Sequence, residues 1–272
     1  MQLYRQRLGG YDRAMLTGVP PNALHRVRPL FEGVPGLHGC VDAALEGSMG
    51  QVYADAEEQP SIAVIHLDFY LVAGDAGAPD AEDAVRQLDP PATIVASSDA
   101  WDPLLGRIWG ENLRPRRRVA FSPADWDRQR LRAFGDALPD GMNVHRIESG
   151  DARGFEGLAE SLVYNFDSLD DFADRGVGFG IEHEGRFVSG CSSFAISSQS
   201  LEFEIQTHPD YRRRGLALAT ASALIEYCLD HGLEPCWDAH NSMSAALATK
   251  LGFVSPRPYT AYELSSDARR IG

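Results

Sequence analysis

Lysine is almost missing from this sequence. Lys250 is the single lysine among 272 residues, and 25 Lys and Arg stand against 39 Asp and Glu, so the formal charge at pH 7 is −14. Proteins that hold nucleic-acid backbones do so with clustered cations. The charge balance therefore argues against a nucleic-acid partner, and it favours cationic small molecules as substrates.

Cysteine is scarce and scattered. The four cysteines, Cys40, Cys191, Cys228 and Cys236, form no C-x-x-C pair, and no histidine lies at zinc-site spacing from them. Structural zinc sites depend on such closely spaced ligands. We therefore expect reduced, packed thiols and no metal site.

Long apolar runs are missing as well. No stretch approaches the roughly 18 to 20 apolar residues that cross a bilayer. The first ten residues, MQLYRQRLGG, lack the apolar segment of a secretory signal. These features predict a cytoplasmic protein without a membrane partner.

The chain is long enough for two domains, because 272 residues exceed what most single hydrophobic cores contain. Residues 138–155 carry proline, glycine and a short polar run between two stretches with their own strand patterns. We place a boundary near residue 145, between an N-terminal α/β domain (1–145) and a C-terminal domain (146–272). Strands alternate with helices, so the predicted fold class is α/β (α+β), with a mixed sheet flanked by helices.

The two halves share a layout. Residues 50–75 predict two strands around the polar turn ADAEEQP, and residues 177–197 repeat that arrangement around EHEGR. A strand and a helix follow in the first half, at ATIVASSDAWDPLLGRIWGENL. The N-terminal half is therefore interpreted as a degenerate copy of the C-terminal unit.

The second half continues as an alternation of strands and helices. Residues 200–210 alternate apolar and acidic side chains with the period of a strand. The patterns that follow predict a helix at 213–231, a strand at 233–239, a helix at 241–253 and a last strand at 258–264.

Three consecutive arginines precede a glycine where the first of these helices begins. Helix N-termini expose unpaired N–H groups and a partial positive charge, and Gly215 leaves room for a ligand. Arg212, Arg213 and Arg214 could then frame a phosphate group. A solvated basic turn is the competing interpretation. A P-loop is excluded because Lys250 lies in another helix, and a dinucleotide fingerprint needs more glycines.

The turn and the helix after it resemble motifs of the GNAT acetyltransferase superfamily. RRRGLA (212–217) resembles the family's R/Q-x-x-G-x-G/A acyl-CoA motif, and NSMSAALATKLGF (241–253) resembles its N-x-x-A/S-x-x-L-x-x-K-x-G-F helix. Together with EIQTHPDY, EPCWDA and YTAY, these motifs are similar to the branch that includes zwittermicin-resistance acetyltransferases. The resemblance is strong over residues 177–264 and weak over the first 145.

The resemblance implies a GNAT fold for the C-terminal domain and acetyl-CoA as co-substrate, bound where two central strands separate. The backbone of residues 205–207 would pair with the pantetheine arm, and the N–H groups of residues 213–217 would hold the pyrophosphate. The residues implied in cofactor binding are Ile205, Gln206, Thr207, Arg212, Arg213, Arg214, Gly215, Leu216, Ala217, Asn241 and Ser244.

The implied reaction is direct attack of a substrate amine on the thioester. An alkylamine with a pKa near 10 is protonated at neutral pH, so a base must accept its proton. Glu204 is the first candidate and Glu202, on the same strand face, the second; a solvated strand carboxylate is the competing interpretation.

One position departs from the family pattern. Many members carry a tyrosine in the second helix that protonates the leaving thiolate, and Ala248 stands at that position here. Ser244, Tyr259 or Tyr262 could substitute, or the thiolate could leave without help, since a thiol pKa near 8.5 tolerates it.

Two functions stay open on the sequence. The first is an acetyl-CoA-dependent N-acetyltransferase that acts on a primary amine of a small molecule, with a homodimer as one option for its assembly. The second is a non-catalytic acyl-CoA-binding or regulatory module.

Overall fold

The structure is a computed structural model and describes residues 16–270. Within that range it contains thirteen strands and nine α-helices, with six short 3₁₀ helices between them. The strands are β1 (Thr17–Gly18), β2 (Gln51–Ala54), β3 (Ile62–His66), β4 (Tyr70–Gly74), β5 (Ala92–Ala96), β6 (Leu113–Ser122), β7 (Val144–Arg146), β8 (Gly178–His183), β9 (Arg186–Ile196), β10 (Ser200–Thr207), β11 (Glu234–Cys236), β12 (Asp238–Ala239) and β13 (Val254–Leu264).

The α-helices connect these strands and cover their faces. They are α1 (Leu24–Val27), α2 (His38–Glu46), α3 (Ala81–Arg86), α4 (Asp102–Trp109), α5 (Arg128–Asp136), α6 (Ala152–Leu158), α7 (Leu169–Arg175), α8 (Leu216–His231) and α9 (Ser242–Leu251). The 3₁₀ helices are Pro21–Ala23, Arg28–Phe31, Asp99–Trp101, Gly110–Asn112, Glu160–Leu162 and Pro209–Tyr211.

The strands form two sheets. One has eight strands in the order β1-β2-β3-β4-β5-β13-β6-β12, and the other has five in the order β11-β10-β9-β8-β7. Both contain parallel and antiparallel neighbours and carry helices on their faces. Mixed sheets flanked by helices confirm the predicted fold class.

The two halves of the chain share the larger sheet. The last strand, β13, lies between β5 and β6 of the first half, and β12 pairs with the other edge of β6. The two stretches on either side of residue 145 are therefore joined by backbone hydrogen bonds. The division into domains at that residue stays a prediction.

A common pairing pattern appears in both halves. β2, β3 and β4 are antiparallel neighbours, and β4 pairs in parallel with β5 after helix α3. In the second half β8, β9 and β10 are antiparallel, and β10 pairs in parallel with β11 after α8. This repetition agrees with the shared layout in the sequence.

Several predicted boundaries were wrong. Residues 50–75 form three strands instead of two, because β3 and β4 are joined by a short turn. The helix expected from residue 213 begins at Leu216, since Gly215 lies in the left-handed region with φ 83°. The last strand begins at Val254, four residues before the expected start. The strand expected at 233–239 is broken at Trp237 into β11 and β12, which belong to different sheets.

Helix α2 of the first half packs against β9 and β10 of the second. Its contact with β10 is close at Gly39, where a Cβ would lie 2.8 Å from the backbone nitrogen of Glu202. A glycine is needed there because any side chain would push the helix away. The N-terminus of α2 is thus held against the middle of β10.

Candidate active site

The two sheets separate in the middle of β10. Residues Ser200–Glu202 pair in parallel with β11, and the chain then crosses at Trp237 into β12, which pairs with β6 of the other sheet. From Phe203 onward, β10 keeps β9 as its only strand neighbour within residues 16–270. A β-bulge between Glu202 and Phe203 lies at the point of separation. The open edge contains residues 205–207, the stretch predicted to pair with pantetheine.

A cavity of about 210 Å³ lies at this separation. Four residues of the predicted site line it, namely Glu202, Glu204, Ile205 and Ser244. The wall is completed by side chains from the first half, among them Asp68, Phe69 and Arg118. The cavity is therefore built by both halves of the chain at the open edge of β10.

Glu204 is a partly buried carboxylate in this cavity. Its Oε1 accepts a hydrogen bond of 2.8 Å from the Ser161 hydroxyl and one of 3.0 Å from the Gln206 side chain. Burial raises the pKa of Glu204 above its usual value, and the two hydrogen bonds oppose that rise. A carboxylate whose pKa lies closer to neutral is a stronger proton acceptor.

Glu202 lies deeper, with 2% of its surface exposed. The backbone N–H groups of Gly39 and Asp238 donate to its carboxylate, whereas Oε2 has no hydrogen-bond partner in the described part of the chain. Burial, together with the nearby charge of Asp238, raises the pKa of Glu202 to about 8. The strand face that alternation marked as acidic is therefore an interior surface.

The raised pKa of Glu202 predicts a pH-dependent stability. Between the usual pKa of 4.5 and about 8, the folded protein holds a proton that the unfolded chain has released. The free energy of unfolding therefore falls as the pH rises through that interval. We expect Glu202→Gln to remove this contribution. As the pH rises through that interval, the free energy of unfolding of the variant, measured by urea unfolding, should therefore increase relative to that of the wild type by a few kcal/mol, on the order of the pKa shift. Parallel stability curves for the two proteins would contradict it.

Ser244 and Asn241 are held by the start of α9. The Asn241 side chain caps the helix by accepting the Ser244 N–H at 2.9 Å. The Ser244 hydroxyl accepts a 3.1 Å hydrogen bond from the indole N–H of Trp237. Ser244 thus faces the cavity beside the break between β11 and β12. The proposed contact of Asn241 with a cofactor stays a prediction.

Tyr259 belongs to a buried cluster whose other members, Arg118 and Asp238, line the cavity. Its hydroxyl donates to Asp238 Oδ2 at 2.8 Å, and Arg118 Nε donates to Asp238 Oδ1 at 2.6 Å. Burial raises the pKa of Tyr259, and the Asp238 carboxylate adds to that rise. A phenol held by a buried carboxylate is a poor proton donor, so this environment does not favour Tyr259 as the acid.

The other positions considered for the acid are also placed. Ala248 is fully buried and packs in the apolar cluster of α8 and α9. Tyr262 packs among the apolar side chains beneath α3 and α4, and it hydrogen-bonds with Asp102. Because Tyr262 faces that cluster, it lies on the side of the sheet away from the cavity.

The arginine turn lies at the end of β10. Arg212 Nε donates to the carbonyl of Thr207 at 3.2 Å, and Arg214 donates to the carbonyl of Asp210 at 3.0 Å. The Arg214 guanidinium also lies 5.0 Å from the ring centroid of Tyr211. These contacts hold the turn in place.

The backbone of this turn changes hand twice. Arg212 has φ −65°, Arg213 has φ 63°, and Gly215 has φ 83° before the helix begins. Left-handed residues that alternate with right-handed ones are typical of backbone anion sites, so the anion site at this turn stays a prediction. No atom of the described chain lies within 4 Å of a Cβ placed on Gly215. The predicted residues Arg213 and Arg214 therefore precede the helix, whereas Leu216 and Ala217 contribute its first free N–H groups.

The sequence analysis missed several cavity residues, among them three polar side chains beside Glu204. Asp68 follows β3, Ser161 lies in a 3₁₀ helix, and the Tyr164 hydroxyl donates to Asp68 Oδ2 at 2.5 Å. All three line the cavity beside Glu204. No local pattern marks them. Asp68 reaches the cavity from the N-terminal half, and Ser161 and Tyr164 reach it because the segment around the 3₁₀ helix Glu160–Leu162 packs against β9 and β10.

Comparison with known proteins places this geometry in a family. The family model described as GNAT acetyltransferase matches residues 28–262. The uncharacterized N-acetyltransferase YdfB of Bacillus subtilis (strain 168) is 33% identical over 228 residues, which cover 78% of this chain and 85% of that protein.

Solved structures agree. The crystal structure of a GCN5-related N-acetyltransferase-like protein from Streptococcus suis 89/1591 is 33% identical, with a TM-score of 0.78 over 89% of this chain and 98% of that one. A tandem GNAT protein from the clavulanic acid biosynthesis pathway shares the fold, at 13% identity and a TM-score of 0.52 over 91% and 96% of the two chains. The resemblance to the zwittermicin-resistance branch stays a prediction.

Within residues 16–270, no helix is long and apolar enough to cross a membrane, and no group of three or more His, Cys, Asp or Glu side chains could hold a metal ion. The four cysteines are free and buried.

The family match spans most of both halves, and GNAT enzymes use acetyl-CoA as their acyl donor. This chain belongs to the GNAT acetyltransferase family and is an acyltransferase.

Proposed function

We propose that this protein transfers the acetyl group of acetyl-CoA to a primary amine of a small molecule by direct attack on the thioester. The observation that carries the proposal is the position of Glu204. It is a partly buried carboxylate with a raised pKa, in a cavity that borders the open edge of β10.

Acetyl-CoA would enter along that open edge. The backbone of Ile205, Gln206 and Thr207 would pair with the amides of pantetheine, as a neighbouring strand would. The turn at Arg212–Gly215 and the first N–H groups of α8 would hold the pyrophosphate. Ser244 would then lie near the thioester, because it lines the cavity at the break between β11 and β12.

The acceptor amine would approach from the side of Asp68 and Glu204. Both carboxylates line the cavity and attract an alkylammonium ion. Glu204 would take the proton from the amine nitrogen, and the nitrogen lone pair would attack the thioester carbon. The C–N bond forms, the tetrahedral intermediate collapses, and the C–S bond breaks to release the thiolate. The second excess proton on the nitrogen passes through solvent to that thiolate.

Ser244 is the hydroxyl that remains for the departing thiolate. Tyr259 is engaged by Asp238, and Ala248 carries no donor. A Ser244 hydroxyl that accepts from Trp237 keeps its own proton for donation. Since the thiol pKa lies near 8.5, a hydrogen bond from Ser244 would suffice and full protonation could follow in solvent.

An assay of thiol release with acetyl-CoA and a panel of primary amines tests the proposal. We expect saturable, amine-dependent release of coenzyme A and a product that is 42 mass units heavier than the amine, the mass of one acetyl group replacing a proton. The tertiary-amine counterparts serve as controls, because they cannot form a stable amide. Acetyl-CoA binding without acetylation of any amine would favour the binding-module alternative. A homodimer stays a prediction.

A further inference from the structure

A row of arginines leads away from the cavity along β6. Residues 113–118 read LRPRRR, and side chains on a strand alternate between its two faces. Arg114, Arg116 and Arg118 therefore share one face, and Arg117 projects from the other.

The arginine row lies on the face that contains the cavity. Arg118 lines the cavity and donates a hydrogen bond to Asp238. Asp238 also accepts a hydrogen bond from Tyr259, which lies opposite Arg118 on the neighbouring strand β13. On the opposite face, Leu113 packs with the cluster beneath α3 and α4. The three arginines thus begin inside the cavity at Arg118 and continue outward along its wall.

Arg116 and Arg114 lie next to residues that line the cavity, on the same face of the larger sheet. Arg116 is two residues from Arg118, roughly 7 Å along the strand. In the register of the sheet, Arg114 lies opposite Glu263 of β13, and Glu263 lies opposite Thr93 of β5. Thr93 lines the cavity. The outer arginines therefore lie within reach of a ligand that extends out past Arg118.

Within residues 16–270, neighbouring carboxylates neutralise these outer arginines only in part. Arg116 Nε donates to Glu263 at 2.7 Å, and both side chains are well exposed, at 58% and 44%. Among the described residues, Arg114 forms no ion pair within 4 Å, and its charge acts on Asp267 only at longer range, whereas Glu263 pairs with Arg116 alone. The contact through Nε leaves the terminal nitrogens of Arg116 for a second, two-point contact with an anion.

The inner cavity has the opposite charge. Four carboxylates line it, those of Asp68, Glu202, Glu204 and Asp238, against the single guanidinium of Arg118. Glu202, with its raised pKa, adds less negative charge than the others at neutral pH. The cleft is therefore negative where the amine reacts and positive along its outer wall. A field of this form orients a molecule that has a cation at one end and an anion at the other.

We propose that the acceptor is a zwitterionic amine whose distant carboxylate or phosphate is held by Arg116 and Arg114. The inference rests on the proposed N-acetyltransferase function. It adds the chemical class of the acceptor and assigns a binding role to the arginine row on β6.

Matched pairs of amines test this inference. The probes are 4-aminobutyrate, 6-aminohexanoate and 8-aminooctanoate with their carboxamides, and 3-aminopropyl phosphate with 3-aminopropanol. At saturating acetyl-CoA, the wild-type protein should show a kcat/KM at least about tenfold higher for the anion of the best pair than for its neutral partner. The carboxylate and phosphate arms distinguish the two kinds of anion.

Variants of β6 identify the residues responsible. Arg116→Ala and Arg114→Ala should each reduce the anion-to-neutral ratio of kcat/KM about tenfold, mostly through KM. Arg117→Ala is the matched control, with the same charge loss on the same strand but on the other face, and it should keep the wild-type ratio. Glu263→Gln should raise the ratio because it removes a competing carboxylate.

The outcomes separate this inference from the function on which it rests. Equal kcat/KM for every anionic and neutral partner would overturn the zwitterionic acceptor while leaving the N-acetyltransferase in place. An equal loss of preference in Arg117→Ala would show a general charge effect and overturn the role of the row. If neither series nor the wider amine panel is acetylated, both proposals fall together.

Discussion

Replacement of Glu204 by glutamine is expected to reduce kcat about 10² to 10³-fold while the Kd for acetyl-CoA changes less than about twofold. Glutamine keeps the size of the side chain and its hydrogen bonds with Ser161 and Gln206. It cannot accept the proton of the amine, so the loss falls on the chemical step. Steady-state kinetics and calorimetric titration with acetyl-CoA measure the two quantities separately.

The pH profile provides an independent signature for Glu204. Burial raises its pKa, and only the deprotonated carboxylate can act as the base. The rate of the wild-type enzyme should therefore rise with pH through that raised pKa, and Glu204→Gln should lose this limb of the profile. The lower kcat and the lost limb of the pH profile should occur together, because both follow from the same carboxylate. A fall in kcat with an unchanged pH profile would indicate that the substitution damages the structure of the site instead of removing the base.

A carboxylate of the same sheet serves as the control. Glu182 lies on β8 and is exposed to solvent. Glu182→Gln should leave kcat and the pH profile within about twofold of the wild type, as expected for an exposed side chain. If Glu204→Gln behaves like Glu182→Gln, Glu204 is not the base and Glu202 becomes the first candidate.

Replacement of Gly215 by tryptophan is expected to weaken acetyl-CoA binding at least about 100-fold. A side chain at Gly215 would project into the space where the turn presents its N–H groups. It would also strain a backbone with φ 83°, which L-residues rarely adopt. Calorimetric titration should show micromolar binding for the wild type and little or no heat for the variant.

A substitution at a second glycine separates the two expected effects of Gly215→Trp, which are backbone strain and obstruction of the proposed phosphate site. Gly185, in the turn between β8 and β9, has φ 74° and no atom within 4 Å of a built Cβ. Gly185→Trp should lower the melting temperature by a similar amount and leave the Kd for acetyl-CoA unchanged. If both variants lose binding alike, the defect is one of folding, and a Gly215→Trp protein that binds normally would remove the turn from the phosphate site.

The sequence alone determined features that depend on local spacing. The chain motifs at 212–217 and 241–253 imply the family, and the family match confirms it. Alternation along β10, the glycine that ends α8 and the asparagine that caps α9 are properties of neighbouring residues, so they can be inferred without the fold. Element boundaries depend on more than neighbouring residues, as the start of α8 shows. The helix begins at Leu216 instead of residue 213, because the turn as a whole holds Arg213 and Gly215 in the left-handed region.

Long-range packing determined the rest. Trp237 interrupts a continuous strand pattern because β12 finds its partner in β6, more than 100 residues earlier in the chain, and no local signal marks such a choice. Glu202 is a carboxylate on an alternating strand, which usually means exposure, and it is buried only because α2 packs against it at Gly39.

Tertiary structure also decided which side chains meet at the site. Asp68, Ser161 and Tyr164 join Glu204 from separate segments, and Arg118 joins Asp238 across 120 positions of sequence. The motifs of the sequence thus predicted the cofactor chemistry, because the proposed phosphate and pantetheine contacts come from contiguous backbone. The surface that meets the acceptor was decided by the fold, because its charges come from elements brought together only by the packing of the two halves.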